Sequence, residues 1–417
     1  MHSLDADVFL LYTSFLMDER QVYLDHASTT PIDPAVREAM LPFLSEAYGN
    51  PSSFHSPGKR VKDAIENARE TVATVIHARP DEILFTSGGT ESDNLAVLGA
   101  ARAYATTGKH IVSTRTEHQA VLEALEHLEK KEGFEVTYVD VDSFGRVRAQ
   151  DVIAAIRPDT ILVSIMTANN EIGTIHPIDD IGRAILKHRE EKKTAFPLFH
   201  SDACQALGAL PVDVTRMHVD LLSINASKIY GPKGVGALFV KRGVKIAHLH
   251  FGGSQESGKR PGTENVIGII GFGKAIEVAE SLREQESARL TILRDDLIAR
   301  ILKDIPKTRL NGHPSERLPN NVNISFMDIE GEALLLYLDA KGIYAATGSA
   351  CTSASLDPSH VILALGLPYE VAHGSLRFTL GRSTTQEDID YVLSVLPPLV
   401  ERLRKISPVH VDEKYYR

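Results

Sequence analysis

From about residue 60 to 245 the chain keeps one rhythm, in which short β-rich runs alternate with longer amphipathic stretches. The strand candidates are 83–85, 110–112, 136–139, 161–166, 198–200, 221–224 and 237–240. Between the second and third, Val121, Leu122, Leu125 and Leu128 fall on one helical stripe. Ile178, Ile181, Ile185 and Leu186 do the same between the fourth and fifth. Several of the strands are nearly all apolar, as expected when helices cover both faces of a parallel sheet. The alternation predicts an α/β fold with a mostly parallel sheet.

From about 286 the rhythm changes. A charged helical stretch over 286–303 leads to an alternating run at 320–326, and 376–380 reads as a further short strand. A helix is expected from about Glu387, interrupted at Pro397-Pro398 because proline removes a helical donor. The pattern therefore predicts a large α/β domain over 36–285 and a smaller α+β domain from 18–35 and 286–417. Residues 1–17 read as an N-terminal extension: Asp5 and Asp7 precede Val8-Phe9-Leu10-Leu11 and no basic residue does, unlike a signal or transit peptide.

Sheets of this kind bind ligands where loops leave the carboxyl ends of strands. Phe85 is followed by Thr86-Ser87-Gly88-Gly89-Thr90-Glu91, Val112 by Glu117-His118, and Met166 by Asn169-Asn170-Glu171. His200 is followed by Asp202-Ala203-Cys204-Gln205, and Ile224 by Asn225-Ala226-Ser227-Lys228. Small polar and ionisable residues thus recur at one end of successive strands, the pattern of an active-site rim.

Composition narrows the possibilities. A 417-residue chain with 43% hydrophobic residues can bury large cores. A net charge of −10 argues against a nucleic-acid surface, which needs a basic stripe. No run reaches the roughly 18 apolar residues of a membrane span. With only Cys204 and Cys351, no disulfide framework is expected, which favours a reducing, cytoplasmic setting.

The rim suggests particular chemistry. Gly88-Gly89 lets the backbone approach a ligand closely, and a helix start there suits a phosphate. Thr90 and Asp93 have the spacing of a capping box. Pyridoxal phosphate (PLP) enzymes need a lysine for the Schiff base and a carboxylate that keeps the pyridine nitrogen protonated. Asp202 ends one predicted strand, and Lys228 follows the next, 26 residues on. His118, between a strand and a helix, is placed to stack on an aromatic cofactor and move protons. Cys351 lies in Thr347-Gly348-Ser349-Ala350-Cys351-Thr352-Ser353-Ala354-Ser355, a small, polar run suited to an accessible nucleophile. Cys204 reads as a core or near-core residue. No metal ligand set is expected.

Ordered motifs carry a resemblance. They are Tyr23-Leu24-Asp25-His26-Ala27-Ser28-Thr29-Thr30-Pro31, Gly49-Asn50-Pro51-Ser52-Ser53, Thr86-Ser87-Gly88-Gly89-Thr90-Glu91-Ser92-Asp93-Asn94 and Thr116-Glu117-His118. Further on come Asn169-Asn170-Glu171-Ile172-Gly173, Lys228-Ile229-Tyr230-Gly231-Pro232-Lys233-Gly234 and the Cys351 run. From about Tyr23 to Ser407 the chain resembles the NifS/IscS-type cysteine desulfurases, class-V aminotransferase-like enzymes of PLP fold type I. The resemblance implies the PLP-dependent transferase fold, with a mostly parallel seven-stranded sheet, and a homodimer.

The resemblance also implies residue roles. Lys228 would carry PLP and act on the substrate α-proton. Asp202 would pair with the pyridinium nitrogen, and His118 would stack on the ring and act as acid–base. Asn170 and Gln205 would bond the 3-hydroxyl side, and Gly89 and Thr90 would hold the phosphate. Thr263 would reach the phosphate of the other subunit. Asn170 and Arg377 would bind the substrate, with the planar Arg377 fork on its carboxylate. Cys351 would take sulfur from L-cysteine as a persulfide, leaving L-alanine. The loop resembles that of members serving iron–sulfur scaffold proteins and tRNA-thiolation carriers. One departure stands out: the family's Ser-x-His at the phosphate, just before the lysine, is Asn225-Ala226-Ser227 here, and the resemblance places Asn225 and Ser227, both able to hydrogen-bond, at the phosphate. The alternatives are another fold type I reaction, such as selenocysteine cleavage or transamination, and an inactive PLP-fold scaffold. The ending Tyr415-Tyr416-Arg417 reads as an exposed place for a sulfur acceptor to dock.

Overall fold

The computed structural model describes residues 20–347 and 358–416. Cys351 and the expected extension over 1–17 lie outside the described residues. Twelve strands are described: β1 (Val22–Tyr23), β2 (Ile83–Thr86), β3 (His110–Thr114), β4 (Glu135–Val139), β5 (Thr160–Ser164), β6 (Leu198–Asp202), β7 (Leu221–Asn225), β8 (Gly236–Val240), β9 (Thr308–Leu310), β10 (Asn321–Phe326), β11 (Ile343–Tyr344) and β12 (Ser375–Thr379). The helices that matter below are α1 (Ser56–Val75), α2 (Gly89–Ala103), α3 (Gln119–His127), α4 (Ile178–Lys192), α5 (Val266–Asp304), α6 (Gly331–Asp339), α7 (His360–Ala364), α8 (Tyr369–His373) and α9 (Gln386–Ile406). Among the described residues no helix is long and apolar enough to cross a membrane.

Seven strands form one sheet in the order β2-β8-β7-β6-β5-β3-β4, and only β8 runs against its neighbours. Its strands are apolar on both faces, and consecutive residues serve opposite cores. Phe85, Val112, Val163, Phe199, Leu222 and Phe239 pack with α1, α4 and part of α5. Their chain neighbours Leu84, Ile111, Leu162, Leu198, Leu221 and Leu238 pack with α2 and α3. A second, antiparallel sheet has the order β12-β10-β9, and its core draws on α5, α6 and α9. β1 pairs with β11 in parallel, and the chain beyond it bridges to β12 at Asp25.

Two expectations about helices are corrected. The charged helix expected at 286 begins twenty residues earlier, as the second part of the 39-residue α5. Its first two turns, Val266 to Gly273, carry no polar side chain, so they show no helical period, and glycines sit at their contacts. A Cβ on Gly273 would stand 2.8 Å from that of Ala68 on α1. Pro397-Pro398 does not interrupt α9, which runs unbroken from Gln386 to Ile406. Burial of Ile389, Val392, Leu396, Val400 and Leu403 along one stripe offsets the hydrogen bonds that the prolines forgo. The C-terminal tyrosines also differ from expectation. Tyr415 and Tyr416 are half-buried, packed on the cluster of Met327, Val361 and Val371.

Candidate active site

Five strands of the large sheet deliver residues to one end, and elements of the small sheet close over them. The result is a cavity of about 750 Å³ lined by residues that include Thr90, His118, Asp202, Lys228 and Arg377.

The floor is built of buried acids. Asp202 ends β6, and its Oδ1 accepts the Cys204 backbone N–H at 2.8 Å. Beneath it lie Asp93 of α2, Glu117 and His200, all buried. Burial first, and then the charge of Asp202, pushes Asp93 well above the usual carboxylate range. Burial also drives Glu117 up to about 8, against the bonds its Oε1 accepts from Met166 N (2.8 Å) and Thr114 Oγ1 (3.2 Å). Burial thus disfavours the charged form of both acids, which opposes a build-up of like charge beneath Asp202. His200 shares contacts with Ser164 (2.9 Å) and Ser223 (3.1 Å), and burial lowers it to about 4, so its imidazole is neutral.

One wall is an anion seat. Gly88 has φ 149° and ψ −173°, a conformation open to glycine, and a Cβ there would point into empty space. The helix α2 starts immediately afterwards, and its first N–H groups have no intrahelical acceptor. A Cβ at Gly89 would meet Cys204 Sγ at 2.9 Å, so glycine lets the helix start sit this low. The expected Thr90–Asp93 capping box is absent: Gly88 is the N-cap without a side-chain bond, and Asp93 turns to the floor instead.

Lys228 closes the short turn after β7. Asn225 caps this turn, its Oδ1 accepting both Ser227 N (2.9 Å) and Ser227 Oγ (3.1 Å). Lys228 Nζ donates to the backbone carbonyl of Ser28. His118 caps α3, with Nδ1 accepting from Ala120 N at 3.1 Å, which leaves the ring proton on Nε2. Burial lowers its pKa, with Lys228 adding to the effect and Asp202 opposing it.

Arg377 reaches in from β12. Its Nη1 donates to Asn170 O (3.0 Å), and its Nη2 to Asp25 Oδ1 (2.9 Å) and Ser28 Oγ (2.8 Å). Its Nε is buried and has no hydrogen-bond partner among the described residues.

The cavity thus brings together Gly89, Thr90, His118, Asn170, Asp202, Gln205, Asn225, Lys228 and Arg377. Gln205 holds the Ala27 carbonyl at 3.0 Å. Two of the expected residues stand apart. Ser227 does not line the cavity, its hydroxyl being spent on Asn225. Thr263 is exposed and lines an adjoining cleft with Ser87, Thr90 and Glu91. Cys204 is a buried residue at the cavity wall, with its thiol pushed up by burial.

Several contributors carry no sequence signal of function. Ser359 caps α7 and donates to Glu171 Oε2, while His360 Nε2 meets the Glu117 carbonyl at 3.0 Å. The only signal there is a serine before an apolar run, which marks a helix start and nothing more.

The arrangement fits PLP. Asp202 would pair with a pyridine nitrogen, Lys228 would carry the aldehyde carbon, His118 would stack on the ring, and the open N–H groups at the start of α2 would take the phosphate. Residues 22–392 match the aminotransferase class-V family. The chain belongs to this family. Among curated relatives, the cysteine desulfurase IscS of Dictyoglomus turgidum is 55% identical, covering 95% of this chain and 98% of its own. The cysteine desulfurase IscS of Methanosarcina thermophila is 53% identical, covering 95% of this chain and 96% of its own. Among solved structures, a NifS-like protein superposes with a TM-score of 0.84 at 37% identity, covering 93% of this chain and all of its own. A structure of SspA in complex with cysteine gives a TM-score of 0.75 at 35% identity, covering 86% and 99%.

Proposed function

We infer that this protein is a PLP-dependent cysteine desulfurase, converting L-cysteine to L-alanine and passing the sulfur on as a persulfide of Cys351. The observation that carries the reading is the convergence of Lys228, His118, Asp202 and Arg377 on one cavity. The identity of 53–55% to cysteine desulfurases over nearly the whole chain supports it.

PLP, when bound, supplies an electron sink for the substrate's α-carbon. Arg377 takes the substrate carboxylate while Asn170 and Asp25 hold the guanidinium in place. Lys228, steadied by the Ser28 carbonyl, removes the α-proton, and neutral His118 moves protons from the other face. Asp202 secures the pyridinium side. Asn225 would offer its amide N–H₂ to the phosphate, since its oxygen accepts from both Ser227 N and Ser227 Oγ. The Cys351 thiolate then attacks the substrate sulfur: a new S–S bond forms, the Cβ–S bond breaks with its electron pair left on the carbon skeleton, Cβ takes a proton in place of the one the thiol gave up, and alanine leaves. Cys204 is a poor rival nucleophile, since burial keeps it a thiol.

The protein further acts as a homodimer, in the cytoplasm, with an iron–sulfur scaffold or another sulfur carrier as acceptor. Exposed Tyr48, Phe54 and Phe251 provide apolar surface for a second copy, and Thr263 sits in the cleft beside Thr90 where a partner's phosphate site would meet it. Incubation with L-cysteine tests the activity. Stoichiometric alanine with one added sulfur on the Cys351 peptide is expected, and alanine without that adduct would remove Cys351 from its role.

A further inference from the structure

Lys228 and Gln205 line both the cavity described above and a second cavity of about 70 Å³. A buried water needs roughly 10–15 Å³ of such space, so a short file of waters fits. The far end reaches Glu286 and Arg382, whose side chains are 21% and 20% exposed, so the file ends at solvent.

His26 lies on this cavity at 3% exposure, and neither ring nitrogen has a hydrogen-bond partner among the described residues. The Tyr23 carbonyl lies near the ring but outside hydrogen-bond geometry. The ring is held in place by packing: Tyr23 meets it edge-on at 4.9 Å, and a Cβ on Gly381 would stand 2.2 Å from it. Leaving a buried polar group unpaired costs about 1–3 kcal/mol, so a polar ring facing a water-sized space has water as its partner. Burial lowers its pKa to about 4, so the imidazole is neutral and carries one donor and one acceptor. Such a ring takes a proton at one nitrogen and releases one from the other.

We propose that this second cavity is a hydrated proton route between Lys228 and solvent, with His26 as its relay. The proposal rests on the reading that Lys228 removes the substrate α-proton. The Lys228 amine takes that proton and becomes an ammonium. It gives a proton to the first water of the file. His26 accepts a proton on one nitrogen and yields the proton on the other, and the solvent end loses one to bulk. No electrons move, and the reverse passage recharges Lys228. The α-hydrogen of the product alanine is therefore drawn from solvent rather than returned from the substrate.

The test uses holoenzyme, Cα-deuterated L-cysteine in ordinary water, and the deuterium content of the alanine formed. His26→Phe, which replaces the relay with an apolar ring, and His26→Asn, which keeps polarity without a second ring nitrogen, should each raise retained deuterium by about threefold or more. The readout is a ratio per alanine formed, so it does not depend on how much of a variant folds. Retention equal to wild type in both variants, or near-complete retention in the wild type, overturns the route. A wild type that forms no alanine would instead break the desulfurase reading.

Discussion

The floor of the active cavity and its rim are built in opposite ways. Floor residues come from the strands of the large sheet and the segments that follow them, and they are buried, with burial opposing charge on Asp93 and Glu117 and leaving the His200 imidazole neutral. Rim residues come from chain positions hundreds apart, such as Asp25, Ser359 and Arg377, tied by hydrogen bonds across the two sheets. The floor fixes charge where solvent cannot screen it, and the rim recognises the substrate through groups that can part and rejoin. Chemistry should therefore fail when the floor changes, and binding when the rim does.

The largest effect should come from Lys228→Ala, which should lower alanine formation by at least about 10³-fold. Asp202→Asn keeps an oxygen for the Cys204 N–H but loses the charge, and should cost about 10²-fold in kcat. At the rim, Arg377→Lys should mainly raise KM for cysteine, by about tenfold, because an ammonium cannot grip a carboxylate with two bonds while also holding Asp25 and Asn170. A kcat loss at Arg377 as large as that at Asp202 would erase the contrast. The smallest effect is one of stability. Glu117 titrates near 8 when folded and at an ordinary 4.5 when unfolded, so the fold binds more protons between those values. Its contribution is fully present below 4.5 and is lost as pH rises through 8. Glu117→Gln should therefore lose less Tm than wild type between pH 6 and 8, by a difference of about a degree or two. An unchanged slope would show that the acid is not held protonated.

The difference between floor and rim also explains what the sequence discloses. The seven strands of the large sheet are legible because continuous apolar runs have no other use, and Asp202 and Lys228 are legible because each follows such a run. Ser227 was a candidate only through the resemblance, and the fold shows its hydroxyl turned to Asn225. Ser359, His360 and Asp25 look ordinary in the chain, since their meaning depends on which distant element they meet. The start of α5 escaped because Val266 to Gly273 holds only apolar residues and glycine, so it has no polar period to read. The Thr90–Asp93 capping box failed for a related reason: the glycine turn starts the helix, and Asp93 answers to the floor rather than to its own helix end.

That long helix has a mechanical consequence. Ile269, Phe272 and Ile276 near its start belong to the core of the large sheet, while Leu293, Leu297 and Ile301 near its end belong to that of the small sheet. One continuous rod thus serves as a structural member of both cores, and neither can come apart without depriving the other of a wall. The two sheets should melt as a single calorimetric unit, and a break introduced at the middle of the rod should split that one transition into two.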